Sequence, residues 1–285
     1  MLHILVTGSK GQLGSEIKKI SKDYPTIKFT FVDREEMPLD DNDSIIRFLN
    51  QLQPNLIVSA GAYTAVDQAE NEKELVDQIN HLAVATMAKW CADNHAKLIH
   101  ISTDYVFDGK SDIPYKESDF TAPINWYGET KLRGEQAIER IMKEAVIIRT
   151  SWVYSEYGNN FVKTMLRLMK DRESIGVVND QVGTPTYAYD LAEAIITIIT
   201  GDTWEPGVYH YSNEGQISWF EFAVAIKELS QIKCEVKGVT SDEFPTLAKR
   251  PKYSLLDKTK IKTTYKLSVP DWKNSLDQCL QILNA

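Results

Sequence analysis

The sequence predicts an α/β protein built on a doubly wound parallel sheet with a smaller C-terminal substrate-binding region. Three observations lead there. Five short β-branched or apolar runs, at 2–6, 28–32, 55–60, 97–102 and 145–151, are separated by stretches long enough for helices. The first run passes straight into a glycine loop, Gly8-Ser9-Lys10-Gly11-Gln12-Leu13-Gly14. The alternation then fades after Trp152, where loops rich in Gly, Asn, Pro and Tyr occupy 154–160, 179–187 and 202–216. Successive β-α-β units turn right-handed, so the sheet is of the Rossmann type and its ligand crevice lies outside the carboxyl ends of the strands.

Taken in order, helices are expected to begin near Gln12, Asn42, Glu72, Trp126, Asn160, Tyr187, Ser218 and Asp271, with Asp43, Ser44 and Ser218 as candidate N-caps. The apolar stretch 188–199 is expected to return to the sheet, which makes the second region discontinuous. Residues 1–152 and 187–212 are thus assigned to the sheet domain, and 153–186 and 213–285 to the substrate-binding region. No internal repeat or low-complexity segment interrupts this plan.

Composition narrows the function. With 285 residues, 43% of them apolar and 25% charged, the chain is an ordinary globular protein large enough to bury a core and carry a pocket. A net charge of −8 and the lack of any Lys/Arg-rich block leave no electrostatic footprint for nucleic acid or an anionic membrane. Cys91, Cys234 and Cys279 form neither a C-x-x-C pair nor a secreted framework, which fits a reducing cytosol. No signal peptide precedes the first strand, and no run approaches 18 apolar residues, so a cytoplasmic protein without membrane spans is expected. His3, His81, His95, His100 and His210 show no metal-ligand spacing and read as ordinary surface or core residues. The expected partner is a small molecule.

Gly8, Gly11 and Gly14 make a G-x-x-G-x-x-G loop between a strand and a helix. Glycines permit a tight turn and close backbone approach, while free amides and the positive end of the helix dipole face a pyrophosphate. Asp33, 19 residues past Gly14 at the end of the second strand, is placed to bind adenosine ribose hydroxyls. The first domain is therefore dinucleotide-binding. Asp33 favours NADH because a carboxylate repels a 2′-phosphate, whereas Arg34 beside it could pair with that phosphate, so NADPH and NADH both stay open.

Tyr127 and Lys131 stand four residues apart on one helical face. A neighbouring cation favours phenolate, so Lys131 is expected to lower the Tyr127 pKa and let the phenol exchange a proton near neutrality. The same spacing at Tyr24 and Lys28 contains Pro25 and cannot be helical. Only Tyr127 follows a strand end with suitable partners: the Thr103 hydroxyl could hydrogen-bond a carbonyl oxygen that Tyr127 protonates, and Asp104 could orient sugar hydroxyls. Both could instead simply cap a turn.

Together these residues resemble the extended short-chain dehydrogenase/reductases that act on nucleotide sugars and, more closely, their dTDP-4-dehydrorhamnose reductase family. The resemblance spans nearly the whole chain. It rests on the segments 60–70, Ser102 to Gly109, Tyr127 to Glu135, Arg149 to Tyr154, Asn179 to Thr186 and Arg250 to Ser254. It implies reduction of the C4 ketone of dTDP-4-dehydro-β-L-rhamnose to dTDP-β-L-rhamnose, the last step of dTDP-rhamnose biosynthesis, with hydride from NADPH or NADH. It also implies that Gly11, Gln12, Leu13, Asp33, Asp40, Ala62, Tyr63, Thr64, Tyr127 and Lys131 line the cofactor. Thr103, Asp104 and Trp152 would meet the substrate, with Tyr127 as proton donor, and Asn80 would help organise the proton relay.

Some relatives dimerise through Mg2+ held by glutamates. Here Glu16 survives, but the position near Leu191 that would supply another is Tyr189, so no metal is expected and a monomer or a homodimer remains open. Tyr154, Asn159, Asn160, Gln181 and Arg250 are candidates for nucleotide recognition, Arg250 either as a pyrophosphate clamp or in an ion pair. Two rival readings keep the fold. One is a sugar-nucleotide dehydratase or epimerase, disfavoured because Asp104 is followed by Tyr105 where dehydratases have Glu. The other is a non-catalytic NADP-binding regulatory subunit, disfavoured because Thr103, Tyr127 and Lys131 are all present.

Overall fold

The computed structural model describes residues 1–284. The first half alternates as expected: β1 (His3–Thr7), α1 (Gln12–Ile20), β2 (Lys28–Val32), α2 (Asn42–Leu52), β3 (Leu56–Ser59), α3 (Val66–Ala69), α4 (Lys73–Asp77), α5 (Ala83–Asn94), β4 (Lys97–Thr103), α6 (Trp126–Ile141) and β5 (Val146–Thr150). There follow β6 (Val153–Tyr154), α7 (Phe161–Asp171), β7 (Ser174–Val178), β8 (Val182–Gly183), β9 (Thr186–Tyr187), α8 (Ala188–Thr200), β10 (Gly207–His210), β11 (Ile217–Ser218), α9 (Trp219–Leu229), β12 (Glu235–Val239), α10 (Thr259–Tyr265) and α11 (Trp272–Leu283).

Six parallel strands form the main sheet in the order β10-β5-β4-β3-β1-β2. The chain reverses its direction of winding between β1 and β3, which opens a crevice above their carboxyl ends. Strand periodicity builds the two faces: Ile4 and Val6 of β1 pack with Ile17 of α1 and Ile195 of α8, while Leu5 between them packs with Met87 of α5 and Ile138 of α6. A third cluster, with Tyr154, Tyr187, Phe222 and Leu276, holds together α7, α9, α11 and three two-stranded pairs, β6–β9, β8–β11 and β7–β12.

Three local features depart from the sequence reading. The sixth strand, β10, lies in a stretch expected to be loop; it is four residues long, follows Pro206, and earns its place by pairing with β5 at the sheet edge. The helix expected at Glu72 is divided into α4, a π-helical turn over Gln78–Leu82 and α5. At the start of α2 the cap is Asp41 rather than Asp43 or Ser44: its carboxylate accepts from the Ser44 amide at 3.0 Å. Ser218 does cap α9, in a reciprocal capping box with Glu221.

Candidate active site

A cavity of about 790 Å³ fills the crevice over β1, β3 and β4. Gly8 has φ +69°, and a Cβ there would stand 2.8 Å from the Gly61 Cα, so the loops after β1 and β3 meet backbone to backbone. The α1 N-terminus begins at Gly11 with no side-chain cap, and Gly11, Gln12 and Leu13 line the cavity beside it. Uncapped amides at a helix start, in a cradle that side chains would fill, suit a pyrophosphate. The residues present therefore fit a nicotinamide dinucleotide.

Gly14 differs from its expected place among the cofactor contacts. It lies behind the cavity wall, where a Cβ would come within 2.3 Å of the Gly8 carbonyl oxygen. Gly14→Ala is accordingly expected to destabilise the protein by about 1–3 kcal/mol, the cost of forced overpacking, and to weaken cofactor binding by pushing the loop out of shape. Thermal melts and a NADPH titration check this; unchanged values in both would refute it.

Asp33 lines one end of the cavity with Asp40, Lys10 and Arg34. Lys10 pairs with Asp33, and that hydrogen bond, ahead of one from the Glu35 amide, holds the Asp33 carboxyl down at about 2. Arg34 reaches Asp40 at 3.6 Å. Each carboxylate thus has its own cation, Lys10 on Asp33 and Arg34 on Asp40, and Lys10 is a cavity residue that sequence reading passed over.

Ala62, Tyr63 and Thr64 form the wall after β3. Asn80 holds this wall from the π-helical turn: its Oδ1 accepts from the Tyr63 amide at 2.9 Å and its Nδ2 donates to the Tyr63 carbonyl at 3.1 Å. A π-helical turn re-aims one side chain without ending the helix run, and here it delivers a buried asparagine to the loop.

The opposite wall comes from β4, α6 and β5. Thr103, Asp104, Tyr127, Lys131 and Trp152 all line the cavity. Thr103 Oγ1 both caps the turn, accepting from the Tyr105 amide at 3.2 Å, and donates to Asp104 Oδ1 at 3.1 Å. Asp104 is buried, its Oδ2 has no hydrogen-bond partner, and burial pushes its carboxyl up to about 7. A wholly desolvated carboxyl oxygen without a partner is costly in an interior where such groups are ordinarily hydrogen-bonded.

The expected lowering of the Tyr127 phenol is corrected by the structure. Burial raises it to about 12; a hydrogen bond with Thr103 opposes the rise and the Asp104 charge adds to it. Lys131 does not offset burial because its ammonium is held elsewhere, donating to the Ile101 carbonyl at 2.6 Å and lying 3.2 Å from His100 Nε2. Burial in turn pulls Lys131 down to about 8, against the pull of Glu135.

Trp152 has φ +49°, a strained conformation for so large a residue, and its ring stacks on Trp219 at 3.6 Å between centroids. Trp219 also lines the cavity, although nothing in its local sequence marks it. Of the proposed nucleotide-recognition residues only Asn159 reaches the cavity. Tyr154 is core, Asn160 caps α7 and bonds Gln12, and Gln181 bonds Ser241. Arg250 forks onto Asp67 at 2.7 and 3.1 Å, the ion-pair alternative rather than a clamp.

Among the described residues no cluster of three or more His, Cys, Asp or Glu side chains is placed to hold a metal ion. Glu16 is turned inward, accepting from the Ser155 hydroxyl at 2.6 Å, and burial followed by its neighbour Glu156 raises its carboxyl well above the usual range. Beside it the Lys19 ammonium lies 5.2 Å over the Tyr189 ring, so the residues do not fit a shared divalent cation.

The family model described as RmlD substrate binding domain matches residues 2–285, and a dTDP-4-dehydrorhamnose reductase of Aggregatibacter actinomycetemcomitans is 40% identical over 97% of both chains. The chain belongs to the dTDP-4-dehydrorhamnose reductase family. This family sits within the extended short-chain dehydrogenase/reductases, and the chain is an NAD(P)-dependent oxidoreductase. The spore coat polysaccharide biosynthesis protein SpsK of Bacillus subtilis is also 40% identical, over 99% of this chain and 98% of its own. Among solved structures, a dTDP-4-dehydrorhamnose reductase of Clostridium acetobutylicum superposes with a TM-score of 0.96 at 38% identity and full coverage of both chains. The reductase of Bacillus anthracis, in complex with NADP, gives 0.94 at 38% identity over 99% of this chain and 100% of that one. Among the described residues no helix is long and apolar enough to cross a membrane.

Proposed function

We propose that this protein reduces the C4 ketone of dTDP-4-dehydro-β-L-rhamnose to the alcohol of dTDP-β-L-rhamnose, the last step of dTDP-rhamnose biosynthesis, using NADPH or NADH. The observation that carries the reading is the convergence of Thr103, Tyr127 and Lys131 on the crevice that the glycine loop opens. The names of the relatives supply the sugar nucleotide.

In this reading Gly8, Gly11, Gln12 and Leu13 hold the cofactor pyrophosphate, Asp33 and Asp40 stand at its adenosine ribose, and Ala62, Tyr63 and Thr64 wall its nicotinamide half. Bound reduced nicotinamide supplies hydride. Lys10 and Arg34 give a 2′-phosphate two cations to meet, which lets Asp33 coexist with NADPH. Thr103 positions the ketone oxygen with its hydroxyl. Tyr127, protonated throughout the working range because burial keeps its pKa at about 12, gives its phenolic proton to the oxygen as negative charge builds there. Lys131 holds the nicotinamide ribose and places a positive charge beside the site. Asp104, on the wall of the crevice, orients a sugar hydroxyl, and the strained Trp152 provides a flat apolar face for the pyranose. Tyr105 replaces the acid that a dehydratase needs after Asp104, and its phenol is buried and shifted up, a poor proton donor.

Purified protein mixed with NADPH, or separately NADH, and freshly generated dTDP-4-dehydro-β-L-rhamnose is expected to consume one reduced nicotinamide per dTDP-L-rhamnose formed. Cofactor binding without oxidation would sink this reading. Turnover without added reductant, on a tightly held NAD, would transfer it to an epimerase or dehydratase.

A further inference from the structure

His100 stands directly behind Lys131, and the proposed reaction leaves it without a task. It belongs to β4 and is fully buried. Its Nε2 lies 3.2 Å from Lys131 Nζ, and its Nδ1 lies 3.1 Å from the hydroxyl oxygen of Ser59 at the end of β3.

The partners dictate the tautomer. An ammonium can only donate, so Nε2 must present its lone pair, and the ring proton then sits on Nδ1 and is donated to Ser59 Oγ. Burial, reinforced by the Lys131 charge, keeps the ring neutral by holding its pKa well below the usual value. A second Lys131 hydrogen goes to the Ile101 carbonyl at 2.6 Å. Of three ammonium hydrogens, two are therefore committed to protein acceptors, and one is left for the cavity that Lys131 lines.

We infer that His100 is a positioning residue, whose Nε2 lone pair, fixed by the Ser59 hydroxyl, sets the Lys131 ammonium so that its remaining N–H faces the cofactor crevice. The inference rests on the reductase reading in so far as Lys131 acts there. The same series of contacts ties Lys131 to the strand that leads into Ala60, Gly61 and Ala62, so the ammonium and the wall opposite it are placed by one set of hydrogen bonds. A purely structural histidine would need only to fill space; an acceptor aimed at an ammonium does more.

The test compares His100→Leu, which removes the acceptor, with His100→Gln, whose side-chain carbonyl can replace the Nε2 lone pair. NADPH affinity is read by fluorescence titration beside kcat and KM on the keto-sugar. His100→Leu is expected to weaken NADPH binding several-fold and to lower kcat about 10- to 100-fold, the order of loss that follows when a functional group is misplaced by about 1 Å. His100→Gln is expected to recover both to within a few-fold of the parent. Should His100→Leu fail to fold, Ser59→Ala tests the same chain by freeing the Nδ1 proton, with a smaller loss of the same kind expected and rescue by Ser59→Asn. A folded His100→Leu or Ser59→Ala protein that equals the parent overturns the inference, as does a Gln variant no better than Leu. If the parent itself does not reduce the keto-sugar, the reductase reading fails, and the NADPH affinities still decide the role of His100.

Discussion

Replacing Tyr127 by Phe is expected to lower kcat on the keto-sugar by about 10²- to 10⁴-fold, the usual weight of a positioned proton donor, while NADPH affinity stays near that of the parent. Only the phenolic oxygen is removed. The ring keeps its place because it packs edge-on against Tyr105, 5.7 Å between centroids, and because α6 is anchored by residues other than Tyr127. The loss should therefore fall on turnover, with the melting temperature little changed. The pH profile of the parent adds a signature. Lys131, pulled down to about 8 by burial, is an ammonium below that pH and a neutral amine above it. The parent's kcat/KM should accordingly fall as the pH rises through about 8, well below the ordinary lysine range, and Tyr127, at about 12, should add no limb of its own. A Tyr127→Phe enzyme that keeps its turnover would remove Tyr127 from the chemistry, and an alkaline limb near 10 would mean that Lys131 is hydrated when the enzyme works.

What could be read from the chain before folding was whatever one strand-turn-helix segment encodes by itself. The glycine loop, Asp33 and the Tyr127–Lys131 pair are of this kind, since spacing of a few residues along known elements determines their mutual reach. The phenol's environment was not legible, although its neighbour was. Spacing places Lys131 beside Tyr127, but the acceptors that claim the ammonium come from β4, and the burial that governs both groups comes from the whole fold. Contacts across the chain were equally out of reach: Arg250 meets Asp67 over 183 residues of sequence, and Trp219 comes to the cavity only because α9 packs beneath Trp152. His100 carries no metal or catalytic spacing, and its partners lie on β3 and α6, so it read as an ordinary core residue. The short β10 shows the converse case, in which a partner strand, β5, makes a strand of four residues that alone have little periodicity.

Arg149→Met is expected to cost about 3–5 kcal/mol of folding stability, the penalty for leaving one charge of a buried pair without its partner. Arg149 on β5 forks onto Glu135 of α6, with Nη2 donating at 2.6 Å and Nε at 3.0 and 3.1 Å to the two carboxylate oxygens. Both residues are at most 4% exposed, and Ser102 of β4 donates to the same carboxylate. Without the guanidinium, the buried Glu135 carboxylate loses its charge partner and three of its hydrogen bonds, and the loss falls on stability. The double variant Glu135→Leu with Arg149→Met removes both charges, so it should recover most of the loss, short of the about 1 kcal/mol expected for the Ser102 hydroxyl left without its acceptor. Urea unfolding of the three proteins measures this directly, and an Arg149→Met midpoint within error of the parent would show that the pair carries no such weight. The pair also bears on function, because α6 presents Tyr127 and Lys131 on the turns before Glu135, and β4 presents Thr103 immediately after Ser102. A helix and a strand that must hold a phenol, an ammonium and a hydroxyl in one geometry are joined at this carboxylate, so the single variant should lose turnover at temperatures where it is still folded, and the double variant, which removes the carboxylate joint and the charge that supports the Lys131 ammonium, should recover stability without recovering turnover in step.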